Sequence, residues 1–515
     1  MKSLKHNAVM NTILTVSTIV FPLITYPYVS RTLLVEANGR LSFAQSTVNY
    51  FALFATLGIT TYGIKACAQV RDNKEDISRR VQELVIINII TTAIIFVALI
   101  ACILLIPKFR EEYILLLIYS INMILNVAGL NWLYSALEKY DYITIRSIVF
   151  KIISLILMFI FVHAPEDCYI YALITVFANV GSNILNIINA RKYITFKPLG
   201  NYNLKQHIKP TITLFSTLLA VNVYTNLDNV MLGFIKGDYE VGIYHTAVRI
   251  QTILTTLVTS IGAVLMPRLS YYAEKEDKDN FYGVLKKSFK VLLMLSVPIT
   301  IYFTLFARES VLVIAGSKFL DATLPMQIMM FTVITTALSN IIGMQIFIPV
   351  GKEKLFFRAV LVGAVTDLIL NMILMPFYGT VGAAIATLVA ETVQFVMQII
   401  QGREYVKKIF TRNPFIQTFG TAIASGIIAF LLAKVLPLRG VAYHTVKGVN
   451  HIFSFLPDSP RAIFILETIV VLMVTAVVFF GIYFIVLWII DYKELTQTVE
   501  QFTKGKIKRH RTSEV

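Results

Sequence analysis

Five ionisable side chains stand well inside long apolar runs: Asp228, Arg249, Asp367, Glu391 and Glu467. A charge at the centre of a membrane helix costs about 2.5–3.5 kcal/mol on insertion scales, so each needs a partner, a wet surface or a task. Asp228 lies seven residues and Arg249 six residues from the outer ends of their runs. At a rise of about 1.5 Å per residue both are expected ~10 Å below the outer surface, within reach of each other in depth. A structural ion pair is one reading. The other makes Arg249 a ligand for an anionic substrate, because a planar guanidinium donates two hydrogen bonds at once to phosphate. Asp228, with Asp367 and Glu391, would then balance charge or couple transport to an ion, and proton exchange is one route.

Polar residues recur at helical spacing in four of the runs. The first carries Asn11, Thr15, Thr18 and Thr25, and the second Gln45, Asn49, Thr56 and Thr60. The seventh carries Asn222, Thr225, Asn226 and Asn229, and the eighth His245, Arg249, Thr252, Thr256 and Thr259. A helix facing only lipid needs none of these, so a stripe marks a wet or protein-facing surface. Interhelical hydrogen bonding would account for any one stripe. Four stripes in corresponding runs favour a shared aqueous cavity, with Asn49, Asn222, Asn226 and His245 as candidate substrate contacts.

Enzyme signatures are missing. Val350-Gly351-Lys352 lacks the earlier glycine and the Ser/Thr of a phosphate loop, and Gly379-Thr380-Val381-Gly382 opens an apolar helix without the strand a dinucleotide site requires. The seven histidines show no metal-ligand spacing. Cys67, Cys102 and Cys168 are scattered and imply neither a disulfide framework nor a metal site. We expect no enzymatic activity, cofactor or metal, and a transport energy drawn from an ion gradient, the membrane potential or the substrate gradient.

The elements that must position these residues are membrane helices. Of 515 residues, 57% are hydrophobic and 15% charged, with a mean hydropathy of +0.72, against roughly 25% charged in a soluble globule. The excess comes in runs of about 20 residues, the length that crosses a hydrocarbon core of ~30 Å. No polar stretch is long enough to hold a soluble domain. Fourteen spans are expected at 9–30, 43–64, 84–106, 113–136, 144–163, 168–190, 211–235, 243–267, 287–307, 323–348, 355–376, 379–401, 415–436 and 462–490. The first is too long for a signal-peptide core and lacks a small-residue cleavage site, so it is read as retained.

Lys and Arg concentrate in cytoplasmic loops. With both termini cytoplasmic, the 46 basic residues divide about three to one in favour of the inner segments, alternating loop by loop. Lys139, Arg146 and Lys151 count among the inner ones. The +16 net charge is thus mainly an inner-face bias, and no nucleic-acid partner is implied. The tail cations Lys504, Lys506, Lys508, Arg509 and Arg511 suit anionic membrane lipids.

The chain looks doubled. The loops after the second and eighth spans are both long and charged, and 146–190 slides onto 358–402 without a gap, matching Arg146 with Arg358 and Thr175 with Thr387. Six-span units would keep the same orientation, with their axis along the membrane normal.

Four stretches carry a family resemblance. Phe21-Pro22-Leu23-Ile24-Thr25-Tyr26-Pro27-Tyr28-Val29-Ser30-Arg31 resembles the first-span signature of polysaccharide-repeat flippases, of the O-antigen and capsule type. So do Asp238-Tyr239-Glu240-Val241-Gly242-Ile243-Tyr244, Met266-Pro267-Arg268-Leu269-Ser270, and the segment from Tyr378 to Thr387. One departure is Thr32-Leu33-Leu34, where the family usually has a glycine, which leaves the geometry of that outer turn open. The resemblance implies the multidrug/oligosaccharidyl-lipid/polysaccharide exporter superfamily. Its fold is an all-α integral membrane protein with two six-helix lobes around a central cavity and two C-terminal helices. Here that corresponds to lobes at 1–200 and 201–412, two extra helices at 413–492 and a basic cytoplasmic tail at 493–515. It further implies transfer of undecaprenyl-pyrophosphate-linked oligosaccharide to the outer leaflet of the bacterial plasma membrane. Polysaccharide-assembly enzymes are implied as partners. Arg31 and Arg249 resemble arginines that related lipid II flippases place in their cavity.

Two rivals remain. A multidrug exporter of the same fold would be expected to favour acidic cavity residues. A membrane-embedded polymerase would need a larger catalytic segment than the outer loop 438–461 offers.

Overall fold

The computed structural model of the chain describes residues 4–410, 412–435 and 460–490, and the side chains of all but a few of these, the exceptions including Asn11 and 216–226. The stripe residues Asn11, Asn222, Thr225 and Asn226, most of the loop 438–461 and the basic tail therefore fall outside what is described. Among the described residues every regular element is helical.

The helix Lys74–Leu105 shows how the sequence dictates these elements. The Asn73 side chain caps it by accepting from the amides of Glu75 (2.9 Å) and Asp76 (3.5 Å), and both acids favour the positive end of the helix dipole. From Leu84 on the sequence is nearly all Leu, Ile, Val and Ala. Pro107 then drives Ile106 into an extended conformation (φ −102°, ψ 117°), and the helix stops. Its outward side chains include Ile94, Val97 and Leu105, the last 78% exposed. Such a contiguous greasy exterior belongs in lipid.

Eleven stretches of the described residues are long and apolar enough to cross a membrane. Two of the helices within them contain a non-helical break, Leu4–Thr56 at Leu34 and Glu353–Gln401 at Gly379. The first break falls between the expected first and second spans, and the second at the first residue of the expected twelfth. The expected seventh span corresponds to helix Lys205–Ile235. The fifth, expected at 144–163, runs Tyr140–Phe161, so Arg146 and Lys151, counted with the inner-loop cations, stand a turn or more inside the helix.

Gly379 adopts φ 53°, a left-handed conformation natural to glycine. Leu34 adopts φ 63°, ψ −174°, at the position where the resembling family usually has a glycine nearby. For a side-chain-bearing residue this region costs of order 1–3 kcal/mol.

The chain divides into two compact units, one comprising residues up to His245 with Asp367–Ala383, the other Thr246–Thr366 with the residues from Ala384 on. The first has a core that includes Ile59, Ile77, Leu84, Trp132, Leu133 and Tyr134. Gly63 admits the Trp132 ring against its backbone, which any larger residue would block. The second has a core of Phe281, Phe289, Leu292, Ile342, Phe347 and Tyr483, among others. Helices Arg412–Val435 and Pro460–Ile490 dock within this unit on Lys278–Leu305. The Tyr302 hydroxyl donates to the Leu472 carbonyl (2.8 Å) and the Tyr483 hydroxyl to that of Met294 (3.0 Å).

Candidate functional site

Two of the embedded carboxylates meet. Asp367 and Asn371 stand one helical turn apart on Glu353–Gln401, and Asp228 comes from Lys205–Ile235. The Asn371 amide donates to Asp228 Oδ1 (2.6 Å) and to Asp367 Oδ2 (3.0 Å). The Tyr244 hydroxyl donates to Asp228 Oδ2, and Tyr50 lies within electrostatic reach of both acids. Asp367 and Asn371 are almost fully buried, and Asp228 is 8% exposed. Asn371 Oδ1 is buried and has no hydrogen-bond partner. Two carboxylates sharing one amide repel each other when both are ionised, and an all-oxygen set of this kind suits a proton or a hard cation. Among the described residues no cluster of three or more His, Cys, Asp and Glu side chains is placed to hold a metal.

Other expected site residues are more dispersed. Arg31 is half-buried and donates from Nη1 to the Pro27 carbonyl (2.5 Å). Here Pro27 stands in the stretch that Pro22 and Pro27 both weaken. His245 packs edge-on against Tyr26, ring centres 6.0 Å apart. Asn49 is exposed on its helix, and Asn229 donates to Ser46 Oγ (3.2 Å). Arg249 and Glu391 belong to the second unit, and both are half-buried. Along the Arg249 stripe, Gln251 donates to Thr332 Oγ1 (2.8 Å), while Thr256 and Thr259 bond back to their own helix, so part of that stripe is structural.

Two of the family-like stretches, 238–244 and 378–387, meet in the first unit. Asp238 accepts from Lys108 Nζ (2.9 Å), and Glu240 Oε2 accepts from the Thr380 amide (2.9 Å), capping the helix that resumes after Gly379. A Cβ on Gly39 would strike the Asp238 carbonyl, and one on Gly242 would strike that of Val35. Backbone contact at this turn therefore requires both glycines. The Lys108 ammonium is partly desolvated, which pulls its pKa down. The Asp238 hydrogen bond and the charges of Asp238, Glu112 and Glu111 outweigh that and hold it above the ordinary lysine value.

Sequence reasoning missed a second buried cluster. Glu83 and His207, both buried, pair at 2.7 Å, and Tyr62 Oη reaches His207 Nδ1 at 3.0 Å. Glu83 also accepts from the Asn203 amide (2.7 Å) and Gln206 Nε2 (3.2 Å), so one carboxylate organises the start of helix Lys205–Ile235. Asn371 was legible in principle, one turn beyond Asp367. A lone asparagine in an apolar run carries no sign of what it bridges.

A multi-pass bundle, helical throughout its described residues, with buried carboxylates, prolines in its first span and glycine-dependent turns is an exporter-type architecture. The chain belongs to the family described as polysaccharide biosynthesis protein, whose model matches residues 4–273, and a second family model, MatE, matches 214–373. It is similar to the putative O-antigen transporter of Escherichia coli (strain K12), 25% identical over 393 residues, covering 76% of this chain and 94% of that protein. The putative O-antigen transporter of Shigella dysenteriae is 27% identical over 381 residues, covering 72% and 93%. The solved structure "Lipid II flippase MurJ, inward closed conformation" superposes with a TM-score of 0.71 at 14% identity, covering 95% of this chain and 100% of that one, which shows a shared fold. The superfamily expected from the four stretches, with its polysaccharide branch, is the one found.

Proposed function

We propose that this protein is a flippase that carries an undecaprenyl-pyrophosphate-linked oligosaccharide from the inner to the outer leaflet of the bacterial plasma membrane by alternating access. The similarity to O-antigen transporters over nearly their full length carries this reading. Both termini face the cytoplasm, and the two halves 1–200 and 201–412 act as lobes around a polar path. Arg31 and Arg249 attract the pyrophosphate while Asn49, Asn222, Asn226 and His245 offer hydrogen bonds to the sugar. The polyprenyl tail stays in lipid. Asp228 and Asp367, joined through Asn371, take up and release the compensating cation or proton that couples transport, and Glu391 balances charge in the second unit. Lipid-linked sugar is the substrate, membrane lipids are the solvent, and polysaccharide-assembly enzymes supply and consume the cargo. No catalytic step is required of the chain.

The test is a deletion strain complemented with wild type or Arg249→Ala at equal protein level. Surface polysaccharide should return with wild type and fall at least tenfold with the variant, the loss expected when a charge-assisted contact worth about 1.5–3 kcal/mol is removed. Full polymer output from Arg249→Ala would remove Arg249 from the mechanism. A deletion strain with normal polysaccharide and raised drug sensitivity would favour a multidrug exporter, the rival to which the MatE match gives some support.

A further inference from the structure

Lys151 is the twelfth of the 22 residues of helix Tyr140–Phe161. At 1.5 Å per residue its Cα lies about 15 Å from either end, near the middle of the hydrocarbon. Its half-buried ammonium donates to Ser17 Oγ (2.9 Å) and stands 5.7 Å from the centre of the Phe21 ring. Both neighbours belong to Leu4–Thr56, the helix that carries Arg31. Among the described residues no carboxylate lies within ion-pairing distance, 4.0 Å, of Lys151.

Arg146, five residues earlier, shows what a structural cation on the same helix looks like. It is 7% exposed and held by amide oxygens of Asn131 (2.9 Å) and Asn186, with the Tyr142 ring 5.6 Å away. Asn186 in turn donates to the Gly129 carbonyl. That guanidinium is enclosed by the first unit's own polar groups. Five residues correspond to about 140° around a helix, so Lys151 points to a different face.

An ammonium has three donors. Ser17 accepts one, its own proton being given to the Leu14 carbonyl (2.6 Å), and the Phe21 ring face is a weak partner. Neither supplies the negative charge that would repay placing a cation at this depth. An anion that visits the site would.

We propose that Lys151 is a phosphate ligand for the lipid-linked substrate, holding the pyrophosphate midway along its path while Ser17 keeps the ammonium oriented. This rests on the flippase reading above and adds a substrate residue to it. The inner-leaflet pyrophosphate reaches Lys151 first and Arg31, just before the Leu34 break of the same neighbouring helix, later.

The experiment uses full-length protein in nanodiscs and compares binding of undecaprenyl pyrophosphate with that of undecaprenol, which has the same tail and no phosphate. Lys151→Met keeps length and apolar packing, and Lys151→Arg keeps charge. Wild type should prefer the pyrophosphate strongly. Lys151→Met should lose at least tenfold of that preference, the equivalent of one charge-assisted hydrogen bond, while Lys151→Arg recovers most of it. Because Lys151→Arg preserves the cation, it reports even where Lys151→Met lowers the melting temperature. If wild type prefers the pyrophosphate and Lys151→Met does so equally, Lys151 is not a ligand. If wild type shows no preference at all, the pyrophosphate-flippase reading fails, whatever the variants do.

Discussion

Asp228 and Asp367 were legible as residues because charges in greasy runs are rare enough to single out. Their meeting point was not. Depth arithmetic ranks every side chain at a given level alike, so it cannot select Asn371 and Tyr244 from the neutral residues around Asp228. With Asn371→Leu, the two carboxylates lose their shared donor. We expect at least a tenfold fall in transport with protein level within twofold of wild type, read as lipid-linked sugar reaching the outer leaflet, since a hydrogen bond to a charged group is worth about 1.5–3 kcal/mol. Wild-type transport in that variant would exclude the trio from coupling. At Leu34 the sequence departs from a glycine-rich pattern, and the backbone is left-handed there nonetheless. Replacing it by glycine removes a steric penalty of about 1–3 kcal/mol, partly offset by the greater freedom of glycine in the unfolded chain. Leu34→Gly should raise the melting temperature in detergent. A fall would mean that the half-exposed side chain contributes more than the strain costs.

The helical elements themselves follow from run length, caps and prolines, which is why most spans were readable. The start of the fifth was the hardest to place because Arg146 and Lys151 look like loop residues to any hydropathy argument, whereas polar contacts with Asn131, Asn186 and Ser17 let the helix begin at Tyr140 and carry both. The turns joining spans are less readable, because their chemistry is tertiary. Glu240 caps a helix that begins 140 residues later. Removing it with Glu240→Ala should lower stability by about 1 kcal/mol, the usual worth of an N-cap, seen as a lower melting temperature. Glu240→Gln, which keeps an acceptor, should lie between. Gly379→Ala should destabilise more than Gly420→Ala, since Gly379 combines a positive φ with the Glu240 carboxylate close by and Gly420 has open space. Equal effects would show that the outer turn tolerates rearrangement.

For the molecule as a whole, composition and the distribution of basic residues were enough to define a polytopic membrane protein, because bilayer thickness and charge asymmetry act on every span in the same way. Which spans pack together was not available from them. Single cysteines introduced at Lys74 and at Lys278 should react with a membrane-impermeant reagent only after the inner face is opened, and one at Lys108 should react in intact cells. Reversed labelling would invert the topology.

The discontinuity of the first unit has a consequence for how the protein is made. Asp367–Ala383 belongs with residues up to His245, yet more than a hundred residues of the second unit separate them in the chain. During synthesis Asp228 therefore enters the bilayer long before Asn371 exists to receive it. For the time needed to translate that interval, the nascent protein carries a carboxylate in oil that still lacks one of its permanent donors. The insertion machinery or a borrowed proton must shelter it, so chains truncated before Asn371 should be cleared by quality-control proteases far faster than chains truncated just after Ala383.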